Sequence, residues 1–133
     1  MKSTAKPSLG LKNISSQSSP SSRYSSWQRG LESEKFTQIY YKKLGYEVFK
    51  ERFRTPFAEI DIVFRHPQKN SVLVEVKTVN SFEFLEHRLR SSQRQRLQRA
   101  QLYLSHLWGE SLELHLAFVS SDGEVLVFDD LSG

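Results

Sequence analysis

The chain of 133 residues has no cysteine, which excludes disulfide bonds and thiol chemistry. No apolar stretch approaches the roughly 20 residues that a membrane-spanning helix needs, and no apolar segment of the secretion-signal kind is present. There is no Gly-rich loop suited to a nucleotide and no nucleophile elbow. His66, His87, His106 and His115 have no metal-ligand spacing and read as loop, surface or strand residues. Together these absences lead us to expect a cytoplasmic protein with no membrane span and no small-molecule cofactor. Acidic residues are missing from two stretches: residues 1–31, and everything between His87 and Gly109.

The first gap reshapes the charge balance. Net charge is +4, from 19 basic and 15 acidic residues. Lys2, Lys6, Lys12, Arg23 and Arg29 all precede the first acid, so the remaining chain carries 14 basic against 15 acidic residues. A near-neutral domain binds a polyanion through one face and a basic arm, with affinity that falls steeply with salt. Ten of the first 26 residues are serine, with Pro7 and Pro20 among them. Such a segment buries too little apolar surface to fold alone. Residues 1–28 are therefore expected to be a disordered tail and residues 29–133 one domain, large enough for a single core. The tail's composition also matches an organelle transit peptide, but it lacks the arginine-rich amphipathic pattern of one.

What the domain does contain is acid inside apolar strands. Phe57-Ala58-Glu59-Ile60-Asp61-Ile62-Val63-Phe64 and Val72-Leu73-Val74-Glu75-Val76-Lys77 both read as strands, joined by a turn containing His66-Pro67. A hairpin symmetric about Gln68 sets Asp61 opposite Glu75. Side chains alternate, so Glu59 shares the face of Asp61 and Lys77 that of Glu75. Two opposed carboxylates repel, and a cation between them removes the conflict. Mg²⁺ suits the position because it takes one or two carboxylates together with waters and phosphate oxygens. The alternative is the wet face of a half-exposed sheet, with Lys77 as a cross-strand partner. Against it, Leu73, Phe57 and Val63 would share that wet face, and near-continuous apolar strands are usually covered on both sides.

Asp61 followed by Glu75-x-Lys77 on the next strand resembles the PD-(D/E)-x-K nuclease signature, with Ile60-Asp61 in place of Pro-Asp. More narrowly, Phe57-Ala58-Glu59-Ile60-Asp61-Ile62-Val63 and Val74-Glu75-Val76-Lys77-Thr78 are similar to the core of the bacterial YraN-like family. That family is related to archaeal Holliday-junction resolvases of restriction-endonuclease-like fold. The similarity runs over about residues 30 to 128. It implies an α/β fold of order αβββαββ, with a mixed central sheet and helices packed on it. It also implies a metal held by Glu34, Asp61, Glu75 and the backbone carbonyl of Val76, with Asp61, Glu75, Lys77 and Gln93 catalytic. Glu59 is expected to orient ligands or Lys77. Ser33 and Ala58 stand where the family usually has glycine, and Val79 where it often has arginine, which removes a possible phosphate contact.

The residues themselves leave some of these roles open. Between Gly30 and Gly45, apolar residues at 36, 39, 40 and 44 follow a helical period. Glu32 falls nearer that stripe, whereas Glu34 lies on the side of Thr37 and Tyr41; either is also an ordinary first-turn acid. In a second helix, Gln93, Leu97, Ala100, Leu104 and Leu107/Trp108 form one stripe. Gln93 there orients a water, contacts a phosphate, or bonds free backbone groups at the helix start.

Arg88, Arg90, Arg94, Arg96 and Arg99 fall in the second acid-free stretch. Arginine forks suit phosphate oxygens; a plain solvated face is the alternative. The expected elements are helix 30–44, strands 46–53, 57–65 and 71–79, helix 92–108, and strands 112–120 and 124–128. Asn80 to Ser91 is expected as a loop whose Phe82, Phe84 and Leu85 pack on the domain, stack on bases or meet a partner. The leading expectation is a Mg²⁺-dependent endonuclease, with Mn²⁺ able to substitute, acting on branched or single-stranded DNA, possible as a homodimer. The rival is a non-catalytic nucleic-acid-binding accessory protein in recombination, repair or DNA uptake.

Overall fold

A computed structural model describes residues 26–83 and 90–129. The order is α1 (Ser26–Lys43), β1 (Glu47–Arg54), β2 (Glu59–Arg65), β3 (Ser71–Thr78), α2 (Ser91–Trp108), β4 (Leu112–Val119) and β5 (Val125–Phe128). This is the expected αβββαββ order, with α1 starting four residues earlier than Gly30. The tail to residue 25, Phe84, Leu85, His87 and Arg88 lie outside the described residues.

The strands form one sheet in sequence order, β1-β2-β3-β4-β5. Neighbours are antiparallel except β3 and β4, which run parallel because α2 carries the chain back across the sheet between them. One core cluster lies under α2, where Leu97, Ala100 and Leu104 meet Val63, Leu73, Leu114 and Phe118. Phe82 and Trp108 pack against it, so packing is the role Phe82 takes. The other lies on the opposite face, where Tyr41 meets Ile62, Phe64, Val72, Val74 and Ala117. β2, β3 and β4 are covered on both faces, which counts against the wet-face reading.

The α1 helix corrects the sequence expectation. Its buried residues are Ser33, Thr37 and Tyr41, while Ile39, Tyr40 and Leu44 remain 41%, 37% and 52% exposed. A hydroxyl stripe can face the sheet because every hydroxyl is satisfied. Ser33 Oγ bonds Thr78 Oγ1 at 2.7 Å, Thr37 Oγ1 donates to the Ser33 carbonyl at 2.8 Å, and Tyr41 Oη bonds His115 Nδ1 at 2.6 Å. His115 in turn reaches Glu113 Oε1 at 2.9 Å, and burial pushes the Tyr41 phenol upward. In α2, Trp108 continues the inward stripe and Leu107 does not, being 60% exposed.

Gly123 closes the β4–β5 hairpin at φ +88°, and a Cβ there would stand 2.8 Å from the Phe36 ring. Left-handed backbone costs a non-glycine residue about 1–3 kcal/mol, and here the ring contact adds to it. Gly123→Ala should therefore lower unfolding free energy by about 2 kcal/mol or more, measured by urea denaturation. An unchanged midpoint would contradict the packing of α1 against this turn.

Candidate metal and nucleic-acid site

The β2–β3 ladder pairs Ile62 with Val74, Val63 with Leu73 and Phe64 with Val72. That register is symmetric about residue 68 and carries Asp61 opposite Glu75, as the sequence implied. On the α2 face, the row begun by Val63 and Leu73 continues as Asp61, Glu75 and Lys77. The ladder pairs stop at Ile62, and the Asp61 carboxylate takes over by accepting the Val76 N–H at 2.7 Å. Val76 thus meets the site through its N–H.

Gln93, projecting from the first turn of α2, ties the row together. Its Nε2 donates to Glu75 Oε2 at 3.2 Å and its Oε1 accepts from Lys77 Nζ at 3.4 Å. Lys77 Nζ lies 3.7 Å from Glu75 Oε2. The amide therefore bridges acid and base, and it bonds side chains where capping of the backbone was the alternative. Glu59, Glu75 and Gln93 line a cleft of about 200 Å³ with Ala58, Leu97 and Arg96. Glu59 is exposed, and among the described residues it makes no hydrogen bond to Asp61 or Lys77. It acts on the site as a nearby negative charge.

Glu34 and Glu32 are now distinguished. Glu32 is exposed, whereas Glu34 sits beside the buried Ser33, close enough to Asp61 for their charges to interact. Glu34 is held by the Arg52 guanidinium. Arg52 was not singled out from the sequence, where Glu51-Arg52-Phe53-Arg54 reads as an ordinary strand. Glu51 pairs with Ile62 and Phe53 with Ile60, so Arg52 comes opposite Asp61. A register shift between Val48 and Lys50 hides this alignment from a simple count.

Of the arginines, Arg96 reaches the cleft, and Arg90, Arg94 and Arg99 are exposed on the same helix or at its start. The α2 N-terminus has no acid in its first turn and no side-chain cap, which leaves it favourable to anions. Val79, in place of an arginine, is buried in the core under α2. Ala58 packs against that same core at the cleft wall. His66 accepts the Gln68 N–H in the β2–β3 turn, and among the described residues no group of three or more His, Asp or Glu forms a metal cluster as it stands.

Burial and mutual repulsion both disfavour ionisation of the pair. Burial, then the Asp61 charge, push the Glu75 carboxyl up to about 8, only partly offset by Lys77. Burial also raises Asp61, against the opposing pull of the Val76 N–H. Asp61 and Glu75 lie within side-chain hydrogen-bonding reach of each other, and their raised carboxyls favour a proton held between them in the absence of a cation. Burial, then Asp61, raise Glu34 as well, with Arg52 opposing. Two close carboxylates with oxygen donors around them fit a hard divalent ion such as Mg²⁺ or Mn²⁺ and do not resemble a zinc site.

A carboxyl raised in the folded state contributes stability below its unfolded pKa and loses it as pH rises through the folded value. For Glu75 that window runs from 4.5 to about 8, and the shift of Asp61 has the same sign. The melting temperature in EDTA should fall from pH 5 to pH 8, and Glu75→Gln should flatten the fall. Parallel profiles for the two proteins would contradict the shared proton.

The model of Uncharacterised protein family UPF0102 matches residues 33–125. A UPF0102 protein of Nitrobacter winogradskyi is 36% identical over 75 residues, which is 56% of this chain and 63% of that protein. A UPF0102 protein of Parvibaculum lavamentivorans is 28% identical over 113 residues, covering 85% of this chain and 84% of that one. In fold, the chain is similar to Hjc of Archaeoglobus fulgidus, a Holliday junction resolvase from an archaeal hyperthermophile. That likeness has a TM-score of 0.53 at 17% identity, over 76% of this chain and 72% of the other. The fold is thus restriction-endonuclease-like, and the chain belongs to the UPF0102 family, the YraN-like family that its strand motifs resemble.

Proposed function

We propose that this protein is a divalent-metal-dependent DNA endonuclease. The observation that carries the reading is the half-buried Asp61–Glu75 pair, two facing carboxyls joined through Gln93 to Lys77 at a cleft that Arg96 also lines. No structural need of the sheet calls for that arrangement, since two apolar residues would pack there at lower cost.

Asp61 and Glu75 would hold the metal, with Glu34 and the Val76 carbonyl as further oxygen donors. Bound there, a divalent ion supplies Lewis acidity and a water of lowered pKa. Lys77 holds its ammonium at the mouth of the pair, placed to neutralise charge that grows on a phosphate oxygen; only after losing its own proton, as the neutral amine, would it accept one from the attacking water. Gln93 fixes both Lys77 and Glu75, so neither reorients when the substrate arrives. Arg90, Arg94, Arg96 and Arg99 would bind the phosphodiester backbone along α2.

Branched DNA is the substrate we propose, because the similar resolvase is named for a four-way junction. Paired cutting of two opposed strands would need two copies of the chain, and a two-fold dimer is the simplest arrangement. The test is cleavage of labelled four-way junction, flap, single-stranded and duplex DNA with Mg²⁺, Mn²⁺ or EDTA. Asp61→Asn and Lys77→Ala should each lower the cleavage rate by at least 100-fold while leaving DNA affinity in EDTA within a few-fold. Gln93→Ala should cost about 10- to 100-fold. Metal-independent binding with no cleavage of any substrate would overturn the nuclease reading in favour of a non-catalytic accessory role.

A further inference from the structure

Arg52 is the one non-glycine residue at positive φ among the described residues, at +46°. A bulky side chain reaches that region at a cost, and such outliers gather where function over-determines the backbone. Here the distortion falls in mid-strand, between Glu51 and Phe53, which pair normally with Ile62 and Ile60. From this position the guanidinium meets Glu34, with a longer contact to Glu51 at 3.7 Å. The Arg52 side chain is 48% exposed, whereas the Glu34 side chain it covers is 15% exposed. One end of the interaction is therefore open to solvent and the other faces Asp61.

We propose that Arg52 is a positioning residue that couples substrate binding to completion of the metal site. In the DNA-free protein its guanidinium occupies Glu34 and keeps that carboxylate from the Asp61–Glu75 pair. A substrate phosphate, which offers the same bidentate oxygen geometry as a carboxylate, takes the exposed guanidinium away. Glu34 is then free to turn to the metal beside Asp61. The free protein is in this way kept from binding the metal fully, and from cutting, until DNA is in place. The inference rests on the proposed metal site and adds to it an order of events and a residue that enforces it.

Mn²⁺ binding to DNA-free protein, followed by the loss of the free-ion electron paramagnetic signal, tests the first half. Arg52→Gln and Arg52→Gly should each bind Mn²⁺ about 10-fold more tightly than wild type; the glycine variant also relieves the backbone and so guards against misfolding. The gain should vanish in the Arg52→Gln/Glu34→Gln double variant, while Glu34→Gln alone changes DNA-free affinity little. For the second half, DNA binding in EDTA across a salt series should weaken in Arg52→Gln. The log–log salt slope should drop by about one, as expected on loss of one phosphate contact. Weaker Mn²⁺ binding in Arg52→Gln would overturn the proposal, since Arg52 would then merely support Glu34. An unchanged salt slope would overturn it too. Failure of the metal reading itself is distinguishable, because Asp61→Asn would then leave Mn²⁺ binding unaltered in every background.

Discussion

The close approach of Asp61 and Glu75 within buried strands is the constraint on which the rest of the site depends. A carboxylate at the end of a row that begins with Val63 and Leu73 loses most of its water, and a second one across the ladder adds repulsion to that loss. The protein answers with the Val76 N–H, the Gln93 amide and the Lys77 ammonium, and with carboxyls raised so that they favour keeping a proton. Each is a partial substitute for a positive charge. The region is held together by the surrounding core, and it is locally unstable in a way that a divalent cation would relieve.

The two helices contribute to this in different ways. α2 is a conventional amphipathic helix whose apolar stripe seats it on the sheet, so that its first two turns deliver Gln93 and Arg96 to the cleft. α1 is seated by hydroxyl groups, with Ser33 bonded to Thr78 just beyond Lys77 on β3. That bond fixes the rotation of α1 about its axis and so aims Glu34 at the site. Ser33 therefore has a defined task here. The helix also leaves Ile39, Tyr40 and Leu44 facing outward.

Much of this was legible in the sequence because the informative residues obey simple periods. Two strands of alternating pattern and one turn fixed the Asp61–Glu75 register, and the α2 stripe placed Gln93 inward. The rotation of α1 was not legible from hydrophobicity, since its apolar residues are not those that face the sheet. The hydrogen bonds that make Ser33, Thr37 and Tyr41 acceptable inside come from β3 and β4, far along the chain. Arg52 was hidden for a related reason. Its importance arises from a bulge and a left-handed backbone that no local pattern announces.

The central claim is that a cation takes the place of the proton held between Asp61 and Glu75. Calorimetric titration of Mn²⁺ into the DNA-free protein at pH 7, in buffers of different ionisation enthalpy, measures this directly. The account predicts release of about one proton for each ion bound, as expected where ligands must lose protons to bind metal. Binding without proton release, or no binding at millimolar Mn²⁺, would contradict it.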